Sequence, residues 1–409
     1  MTNRIDIAKL LRNALTVCLL MIAATASAYR TDRYVVLISL DGCRWDYTQW
    51  YDTPMLDRMA AEGASSGLVP CFPSKTFPNH YSLATGLVPD HHGILANSFY
   101  DRATGRTFSL GDVTTKSDPR YWGGEPIWLT AKRQGVRTAV FYWPGSDVAV
   151  KGQYPDLYHV YDSVPRLTVA ERFRGIAEQL QKPEAERPHL IMAYSEEPDK
   201  SGHHYGPQDK RTRQAMEQTD SLLADLQMRL QKLPIYSQID FLVVSDHGMA
   251  IIKPEQQIRV SDYLRPEWYH ALEGNMPAHI YCNEGKADSV YNALKDVPHL
   301  TVWRGHDADD ATTKRLQYGM HEHCGDVIVS PDLGWIFYDG VVTVGGMHGF
   351  DPAYNDMQAV FRAIGPDFKN VEVPHFRNVS VYPLVCHLLG IVPSANDGSI
   401  DDVKAMLKE

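Results

Sequence analysis

Cysteine is scarce in this chain, with six in 409 residues. Cys18 lies in the apolar N-terminal stretch, and the odd number that follows it leaves at least one free thiol in any pairing scheme. Their spacing does not match a zinc knuckle, so most are predicted to be core or scattered residues. If any pair is bridged, Cys282 with Cys324 is the predicted pair. The cysteines beyond the N-terminal stretch are Cys43, Cys71, Cys282, Cys324 and Cys386.

Long apolar runs and excess basic charge are also missing. Beyond residue 28, no stretch is long and apolar enough to span a bilayer. The 50 acidic residues outnumber the 40 basic ones, and the net charge is −10. An acidic protein without a basic run binds DNA, RNA and anionic lipid poorly, so no nucleic-acid partner is predicted. To act on phosphate compounds, it would need metal ions or helix N-termini to hold the anion.

The first 28 residues have the three parts of a secretory signal peptide. Arg4, Lys9 and Arg12 are basic, residues 14–24 are apolar, and Ala26-Ser27-Ala28 is a small-residue cleavage site. We therefore predict an exported protein, periplasmic or secreted, whose folded domain comprises residues 29–409.

Several continuous apolar runs along the chain end in acidic residues. Residues 33–40 end at Asp41-Gly42, residues 188–194 lead to Asp199, and residues 239–245 lead to Asp246-His247. Such runs are typical of buried parallel strands. Further strands are predicted at 136–143 and 358–364, with helices at 54–62, 126–134, 168–181 and 208–233.

This alternation predicts an α/β fold with a mostly parallel central sheet and helices on both faces. Ligands bind outside the carboxyl ends of such strands. Residues of about 252–345 are richer in turns, with short strands predicted at 278–282, 326–330 and 335–338 and a helix at 286–295. We interpret this stretch as a smaller inserted α+β cap subdomain over the site.

Carboxylates and imidazoles recur near the ends of these strands. Asp199 and His203 are four residues apart, so one helical turn or a tight loop lets both reach one cation. His348 lies in a glycine-rich loop, which can carry it over a site. Three carboxylates and three histidines suffice for two zinc ions with mixed ligands and open positions, as in catalytic zinc sites. The six residues are Asp41, Asp199, His203, Asp246, His247 and His348.

In their order along the chain, these motifs resemble those of the nucleotide pyrophosphatase/phosphodiesterase family of the alkaline phosphatase superfamily. The resemblance runs from about residue 33 to residue 390 and covers most of the chain. Its motifs are Asp41-Gly42, Lys75-Thr76-Phe77-Pro78-Asn79-His80, the segment Gly86 to Asn97, Glu197-Pro198-Asp199 with His203, Asp246-His247-Gly248, and His348-Gly349-Phe350.

The resemblance implies a hydrolase with two zinc ions per chain that cleaves nucleotide phosphodiester or phosphoanhydride bonds. It implies that one zinc is held by Asp199, His203 and His348. The ligands it implies for the second zinc are Asp41, Asp246, His247 and the Thr76 oxygen. The small-molecule substrate would release a nucleoside monophosphate through a covalent phospho-threonine intermediate.

The resemblance also implies that Thr76 is the nucleophile and that three other residues bind substrate. Asn97 and the backbone N–H of Phe77 would hold a phosphoryl oxygen, and Phe77 and Tyr194 would flank a nucleobase. The residues themselves support the role of Thr76. Pro78 suits the first turn of a helix, so Thr76 is expected at a helix N-terminus, where an anion is stabilised.

Two other enzyme classes are weighed against this interpretation. A sulfatase needs cysteine or serine followed by x-Pro-x-Arg, with Thr-Gly downstream. Counted back from Thr85-Gly86, the nucleophile position holds Thr76 and the arginine position holds His80, so a sulfatase is rejected. Cys71 is therefore predicted to be structural. A phosphomonoesterase usually clamps its dianion with an arginine or a third metal, and Arg44 is the nearest arginine in sequence. Diesters are therefore favoured, with residual monoesterase activity expected.

Two further alternatives concern the ligand. A choline or lysophospholipid diester would need an apolar channel or an aromatic cage for a quaternary ammonium group. The aromatics that could supply one, although most are expected in the core, are Trp45, Tyr47, Trp122, Trp143 and Tyr205. A binding module with a decayed site would have lost the nucleophile or a metal ligand, and all seven expected positions are present. The oligomeric state stays open.

Overall fold

The computed structural model describes residues 29–408. The predicted signal peptide, residues 1–28, lies outside the described residues. The α-helices of the described part are α1 (Tyr47–Trp50), α2 (Pro54–Glu62), α3 (Thr76–Thr85), α4 (Pro89–His92), α5 (Val113–Lys116), α6 (Ile127–Arg133), α7 (Val169–Leu180), α8 (Asp199–Tyr205), α9 (Lys210–Gln231), α10 (Ala287–Leu294), α11 (Ala311–Leu316) and α12 (Val381–Leu389).

The strands divide between one large sheet and several small ones. They are β1 (Tyr34–Leu40), β2 (Ala64–Val69), β3 (Ser98–Asp101), β4 (Arg106–Ser109), β5 (Thr138–Phe141), β6 (Leu157–Tyr158), β7 (Leu190–Ser195), β8 (Ile239–Val244), β9 (Ala250–Ile252), β10 (Gln257–Ile258), β11 (Tyr269–Glu273), β12 (Ala278–Cys282), β13 (Leu300–Arg304), β14 (Val327–Pro331), β15 (Ile336–Phe337), β16 (Gly345–Met347), β17 (Ala359–Ile364), β18 (Val371–Glu372) and β19 (Phe376–Arg377).

The large sheet has nine strands, in the order β18-β2-β17-β8-β1-β7-β5-β6, with β19 also paired to β2. Strand β1 is parallel to both of its neighbours, β7 and β8. Strand β17 is antiparallel to both β8 and β2. The predicted mostly parallel sheet is therefore confirmed, with one reversed strand that the sequence did not reveal.

Both faces of this sheet are covered, which explains why β1 is apolar at nearly every position. Val35 and Leu37 pack into one core cluster, whereas Val36 and Ile38 pack into another on the opposite face. All seven residues of β1 are buried. Helix α12 contributes to the first cluster, and α2, α7 and α9 contribute to the second. A strand with no solvated face does not alternate between polar and apolar residues.

Residues between β9 and β16 contain a second, smaller sheet. Strands β11-β12-β14-β13 make a four-stranded antiparallel sheet. Helix α10 buries Val290 and Leu294 in the hydrophobic cluster of that sheet. Strands β9 and β16 pair antiparallel, which brings the two ends of this segment together. Glu273 of β11 accepts hydrogen bonds from Ser98 and Thr107 of the β3–β4 hairpin, at 2.5 and 2.8 Å.

No disulfide joins Cys282 to Cys324, because all five cysteines of the described residues are free thiols. Cys282 ends β12, whereas Cys324 lies in the loop before β14, and their side chains enter different packing environments. Cys282 packs beside the cluster of the four-stranded sheet, whereas Cys324 is buried in the main core. The prediction that most cysteines are core residues is confirmed: Cys43, Cys71, Cys324 and Cys386 are buried.

Among the helices of residues 29–408, none combines the length and the apolar character needed to cross a membrane.

Asp240 is a buried carboxylate in β8 that predicts a pH dependence of stability. Its Oδ1 accepts the Asp367 N–H at 3.2 Å, and its Oδ2 has no hydrogen-bond partner. Burial, with the nearby charge of Asp367, raises the pKa of Asp240 to about 7. Between pH 4 and 7 the folded state therefore binds more protons than the unfolded state.

We therefore expect this group's contribution to the free energy of unfolding to fall as pH rises toward 7, by up to about 1.4 kcal/mol per pH unit. Asp240→Asn stays neutral and should lack that fall. The measurement is chemical denaturation of both proteins from pH 4 to 8. Parallel pH profiles for the two proteins would show that Asp240 is ionised throughout.

Candidate active site

Three neighbouring strands deliver the carboxylates to one edge of the large sheet. Asp41 follows β1 directly, Asp246 follows β8, and Asp199 begins α8 just after β7. Because β1 lies between β7 and β8, the three carboxyl ends are adjacent. Gly42 allows the close approach: its φ is +65°, and a Cβ there would lie 2.9 Å from the Asp199 Cβ. The Asp199 N–H donates to the Asp41 carbonyl oxygen at 2.9 Å.

Asp199, His203 and His348 form the first candidate metal group. Asp199 and His203 are one turn apart in α8, and His203 Nε2 lies 3.4 Å from Asp199 Oδ1. His348 follows β16, and its Nε2 lies 3.7 Å from the same Asp199 oxygen and 3.1 Å from His203 Nε2. The structure therefore brings together the three residues predicted for one zinc.

The second candidate group contains Asp41, Asp199 and His247. His247 Nε2 lies 3.4 Å from Asp41 Oδ1, 3.0 Å from Asp246 Oδ2 and 3.2 Å from Thr76 Oγ1. The other three residues predicted for the second zinc, Asp41, Asp246 and Thr76, therefore each have an atom within 3.4 Å of His247 Nε2. Asp199 belongs to both groups, which the sequence did not indicate, and lies between the two candidate sites.

Hydrogen bonds of the three histidines leave the same ring nitrogen available in each. His203 Nδ1 is 2.9 Å from the Gly346 carbonyl oxygen, and His348 Nδ1 is 2.8 Å from that of Ser74. His247 Nδ1 is 2.8 Å from the Gly248 carbonyl oxygen. A backbone carbonyl at Nδ1 favours a proton there and leaves Nε2 as a lone-pair donor, as in metal-binding histidines.

The carboxylates show the complementary feature. Asp41 Oδ1, Asp199 Oδ1 and Asp246 Oδ2 are buried without a hydrogen-bond partner. An unpaired buried carboxylate oxygen is costly, because no water or donor replaces its lost hydration. Three such oxygens facing three Nε2 atoms fit divalent cations such as zinc, which bind both kinds of ligand.

The pKa directions follow from this crowding of charge. Burial, together with the charges of Asp246 and Asp199, raises the pKa of Asp41 well above its usual range. Burial also raises the pKa of Asp199, although His203 and His247 oppose the effect. For Asp246, burial acts upward, but the charges of His247 and His80 outweigh it and hold the pKa well below its usual range. Without a bound cation, the negative charges repel one another strongly.

Thr76 is the first residue of α3, as its sequence predicted. Lys75 is the N-cap and Pro78 lies in the first turn. Asn79 anchors the loop before the helix: its Oδ1 accepts from the Cys71 N–H at 2.7 Å, and its Nδ2 donates to the Pro73 and Lys75 carbonyl oxygens. The helix N-terminus and its backbone donors therefore lie next to the Thr76 hydroxyl.

His80 connects the helix to the carboxylates, a role that the sequence analysis did not assign. Its Nδ1 lies 2.9 Å from the Thr76 carbonyl oxygen and 3.2 Å from Asp246 Oδ2. Its Nε2 lies 2.8 Å from the Ser39 hydroxyl. The four-residue spacing from Thr76 was the available signal, because residues i and i+4 share a helix face.

Phe77 and Asn97 lie together beside Thr76, and both border the cavity that opens onto the candidate metal residues (the main cavity). The Phe77 N–H donates to Asn97 Oδ1 at 3.2 Å. The expectation was that both groups face a phosphoryl oxygen; here the backbone N–H is engaged by the Asn97 oxygen. The Asn97 Nδ2 amide is left as the donor that a ligand oxygen can reach.

Tyr194 has a partner that the sequence did not predict. Its hydroxyl donates to Asp41 Oδ2 at 2.5 Å, and its ring packs edge-on against His80. It still borders the main cavity, as does Tyr161, whose ring centre is 6.3 Å from that of Tyr194. The geometry thus gives Tyr194 a contact with a candidate metal ligand and adds Tyr161 to the cavity wall.

The main cavity has a volume of about 280 Å³ and opens onto the candidate metal residues. Two residues weighed from the sequence lie elsewhere: Arg44 is buried in ion pairs with Asp46 and Asp356, and the buried Cys71 contacts Asn378. Besides Asp41, Thr76, Asp199, His203 and His348, the cavity is lined by Phe77, Asn97, Leu110, Lys116, Tyr142, Trp143, Pro144, Gly145, Asp147, Tyr161 and Tyr194.

The chain as a whole matches a known protein family. The model of the type I phosphodiesterase/nucleotide pyrophosphatase family matches residues 35–351. The chain belongs to this family. It is 34% identical over 391 residues to ectonucleotide pyrophosphatase/phosphodiesterase family member 3 of Bos taurus, covering 91% of this chain and 44% of that protein. Family member 1 of Homo sapiens is 33% identical over 408 residues, with 42% of its length covered. The chain thus spans less than half the length of these relatives.

Solved structures share the fold of this phosphodiesterase-family chain. Human ectonucleotide pyrophosphatase/phosphodiesterase 5 superposes with a TM-score of 0.86 at 32% identity, covering 92% of this chain and 100% of that one. An inactive threonine-to-alanine variant of the murine protein, in complex with AMP, superposes with a TM-score of 0.85 at 30% identity. The α/β fold predicted from the alternation of strands and helices is therefore confirmed.

Proposed function

We propose that this chain is a two-zinc phosphodiesterase/pyrophosphatase that hydrolyses nucleotide phosphodiester or phosphoanhydride bonds and releases a nucleoside monophosphate. The observation that carries the proposal is the position of Thr76. Its hydroxyl lies 3.2 Å from His247 Nε2, at the N-terminus of α3, beside three unpaired carboxylate oxygens and a cavity with aromatic walls.

The residues fit two metal ions. Asp199, His203 and His348 would hold one, and Asp41, Asp246, His247 and Thr76 would hold the other. When bound, the metal ions supply Lewis-acid stabilisation of the negative charge that develops on the phosphoryl group. His203, His247 and His348 each have a carbonyl partner at Nδ1, which orients the ring before the metal arrives.

The chain's own residues supply the nucleophile and the phosphate contacts. Thr76 Oγ1 attacks phosphorus and forms a new P–O bond while the bond to the leaving alcohol or phosphate oxygen breaks. The product is a covalent phospho-threonine, which water hydrolyses in a second step to free Thr76. The Asn97 amide and the N-terminus of α3 bind phosphoryl oxygens in both steps.

The aromatic walls give the nucleobase a place in the same cavity. Phe77 directly follows the nucleophile, and its ring lies 5.9 Å from that of Trp122 in the core. Tyr194 and Tyr161 border the same space. We therefore place a base against Phe77, with the two tyrosines adding apolar surface. Stacking on aromatic side chains tolerates any base, because every base has a π-face.

A choline- or lysophospholipid-type diester is the alternative substrate. The observation that favours it is the number of aromatic rings at the cavity, with the carboxylate of Asp147 among them. Aromatic rings and a carboxylate attract a quaternary ammonium group. The rings are those of Phe77, Tyr142, Trp143, Tyr161 and Tyr194.

A substrate panel on the purified, zinc-loaded protein separates these functions. It contains the nitrophenyl ester of thymidine monophosphate, nitrophenyl phosphate, nitrophenyl phosphorylcholine and a nucleoside triphosphate. We expect the highest kcat/KM on the nucleotide ester, and nucleoside monophosphate with pyrophosphate from the triphosphate. A preference for the choline ester would establish the alternative instead, and a preference for the monoester would contradict both.

The role of Phe77 can be measured with a single variant. Phe77→Ala removes the ring but keeps the backbone N–H, so the phosphate contacts should survive. We expect the transition-state stabilisation of the nucleotide ester, calculated from the ratio of kcat/KM values, to fall by about 1–3 kcal/mol, the value of one base stack. Turnover of nitrophenyl methyl phosphate, a diester without a nucleobase, should fall far less. Equal losses on both diesters would show that Phe77 acts on the nucleophile rather than on the base.

The place and organisation of the active protein are part of the proposal. The catalytic domain would comprise residues 29–409, with residues of about 252–345 as its inserted cap. The mature protein would act outside the cytoplasm, in the periplasm or as a secreted enzyme. N-terminal sequencing of the protein recovered from an expressing bacterial culture tests this, since cleavage should leave Tyr29 as the first residue.

A further inference from the structure

Arg172 is a buried arginine that belongs to neither candidate metal group. It lies on α7 with 2% of its surface exposed. Burying a cation is costly unless the surroundings supply its partners. Arg172 has them: its guanidinium donates to the Leu167 and Tyr194 carbonyl oxygens at 3.0 and 2.8 Å and to both Glu196 carboxylate oxygens at 2.8 and 2.7 Å.

Two of these partners lie where β7 ends and the chain turns toward the site. Arg172 binds the backbone of Tyr194, and a two-pronged ion pair holds Glu196 two residues later. The Tyr194 hydroxyl in turn donates to Asp41 Oδ2 at 2.5 Å. The opposite Asp41 oxygen, Oδ1, is the unpaired one that lies 3.4 Å from His247 Nε2. Two contacts therefore connect Arg172 to a candidate metal ligand.

The same guanidinium also contacts the cavity wall. Its central carbon lies 4.5 Å from the centre of the Tyr142 ring, and Tyr142 borders the main cavity. Tyr142 has a φ of +61°, a strained backbone conformation for a bulky residue. The Tyr142 hydroxyl accepts from the Leu167 N–H at 3.0 Å, and its ring meets that of Tyr161 edge-on. Such strain persists where the surroundings hold the residue firmly.

We propose that Arg172 is a positioning residue of the active site, which orients Asp41 for metal through Tyr194 and holds the Tyr142 wall of the substrate cavity. A planar guanidinium suits this task, because it binds a carboxylate with two parallel bonds while stacking on an aromatic ring. The metal part of the inference depends on the candidate ligands alone. The substrate part rests on the proposed function.

The test compares the wild type with Arg172→Lys, Tyr194→Phe and the double variant. Lysine keeps the charge but cannot make the two-pronged bond, and phenylalanine removes the hydroxyl that binds Asp41. Zinc affinity is measured on the metal-free proteins by competition with a chelator, and kcat/KM is measured with the nitrophenyl ester of thymidine monophosphate. We expect each single variant to bind zinc about 10- to 100-fold more weakly, the usual effect of an outer contact of a metal ligand.

The double variant decides whether Arg172 acts through Tyr194. If it does, the double variant should lose clearly less zinc affinity than the product of the two single losses. Arg362→Lys is the matched control, because Arg362 is also a buried arginine but bonds to Ser66, Phe361 and Thr48, away from the cavity. Its zinc affinity should equal that of the wild type.

Zinc affinity of Arg172→Lys within threefold of wild type, or independent losses in the double variant, would overturn the inference. If Arg172→Lys does not fold, Glu196→Gln weakens the same ion pair from its other side and should also weaken zinc binding; unchanged binding there would count against Arg172. A protein that shows these zinc effects but cleaves no nucleotide ester refutes the proposed function and leaves the positioning role intact. Normal cleavage of the nucleotide ester with unchanged zinc affinity refutes the positioning role and leaves the proposed function intact.

Discussion

Thr76→Ala is expected to lower kcat/KM on a nucleotide diester by roughly 10³-fold or more, because removing the attacking atom leaves binding and electrostatic contacts but no covalent route. The backbone of α3 should be undisturbed. Alanine is a better helix former than threonine, and Thr76 is only the first residue of the helix. The measurement is steady-state kinetics with the nitrophenyl ester of thymidine monophosphate, on protein freed of background phosphodiesterase by a final affinity step.

Thr76→Ser is the matched control, since serine keeps a hydroxyl at the same position and loses only a methyl group. It should retain a substantial part of the activity. The covalent intermediate offers an independent measurement: acid quenching of the wild type during turnover, followed by mass spectrometry, should find the nucleotidyl group on the peptide that contains Thr76. Wild-type turnover by Thr76→Ala would refute the role of Thr76 outright.

Asp199→Asn should have the second largest effect, because Asp199 belongs to both candidate metal groups. Its Oδ1 lies 3.4 Å from His203 Nε2 and is buried without a hydrogen-bond partner. We expect the zinc content of the purified protein to fall from two ions per chain to one or fewer. Loss of several kcal/mol of charge stabilisation corresponds to about 10²- to 10⁴-fold in kcat.

Metal-dependent stability provides a readout that is free of catalysis. Zinc that binds the folded wild type should raise its melting temperature, because a ligand of the native state stabilises it by mass action. Asp199→Asn should show a much smaller rise. Its metal-free form should melt no lower than metal-free wild type, since burial raises the pKa of Asp199 and the neutral amide removes a buried charge.

Asp147→Asn is the control for this pair of measurements. Asp147 borders the same cavity but belongs to neither candidate metal group. Its zinc content and its melting response to zinc should match those of the wild type. A full zinc complement in Asp199→Asn, or an equal loss in Asp147→Asn, would refute the assigned ligands.

Secondary structure was predicted well where one local pattern dominates. Helix α2 begins and ends at the predicted residues, and β12 has its predicted bounds. The amphipathic period of α7 and α9 placed both helices within two residues at each end. Strand β2 was missed, because Ala-Ser-Ser-Gly has neither branched side chains nor alternation, and only its pairing with β17 makes it a strand.

The candidate ligands were found because each carries its own signal in the sequence. An acid at the end of an apolar run, or a histidine four residues from an acid, is local information. The contacts between ligands are not. Asp199 belongs to both metal groups because Gly42 lets its backbone approach Asp41, and this depends on the pairing of β1 with β7.

The sequence by itself determined which acidic residues follow the buried strands, the position of Thr76 at the start of α3, and the family. Tertiary structure alone decided that Tyr194 binds Asp41, that His80 connects Thr76 to Asp246, and that Cys282 and Cys324 stay apart. The physical reason is the range of each effect. Apolar period and helix capping act over a few residues, whereas buried hydrogen bonds join residues that only the packed sheet and its helices bring together.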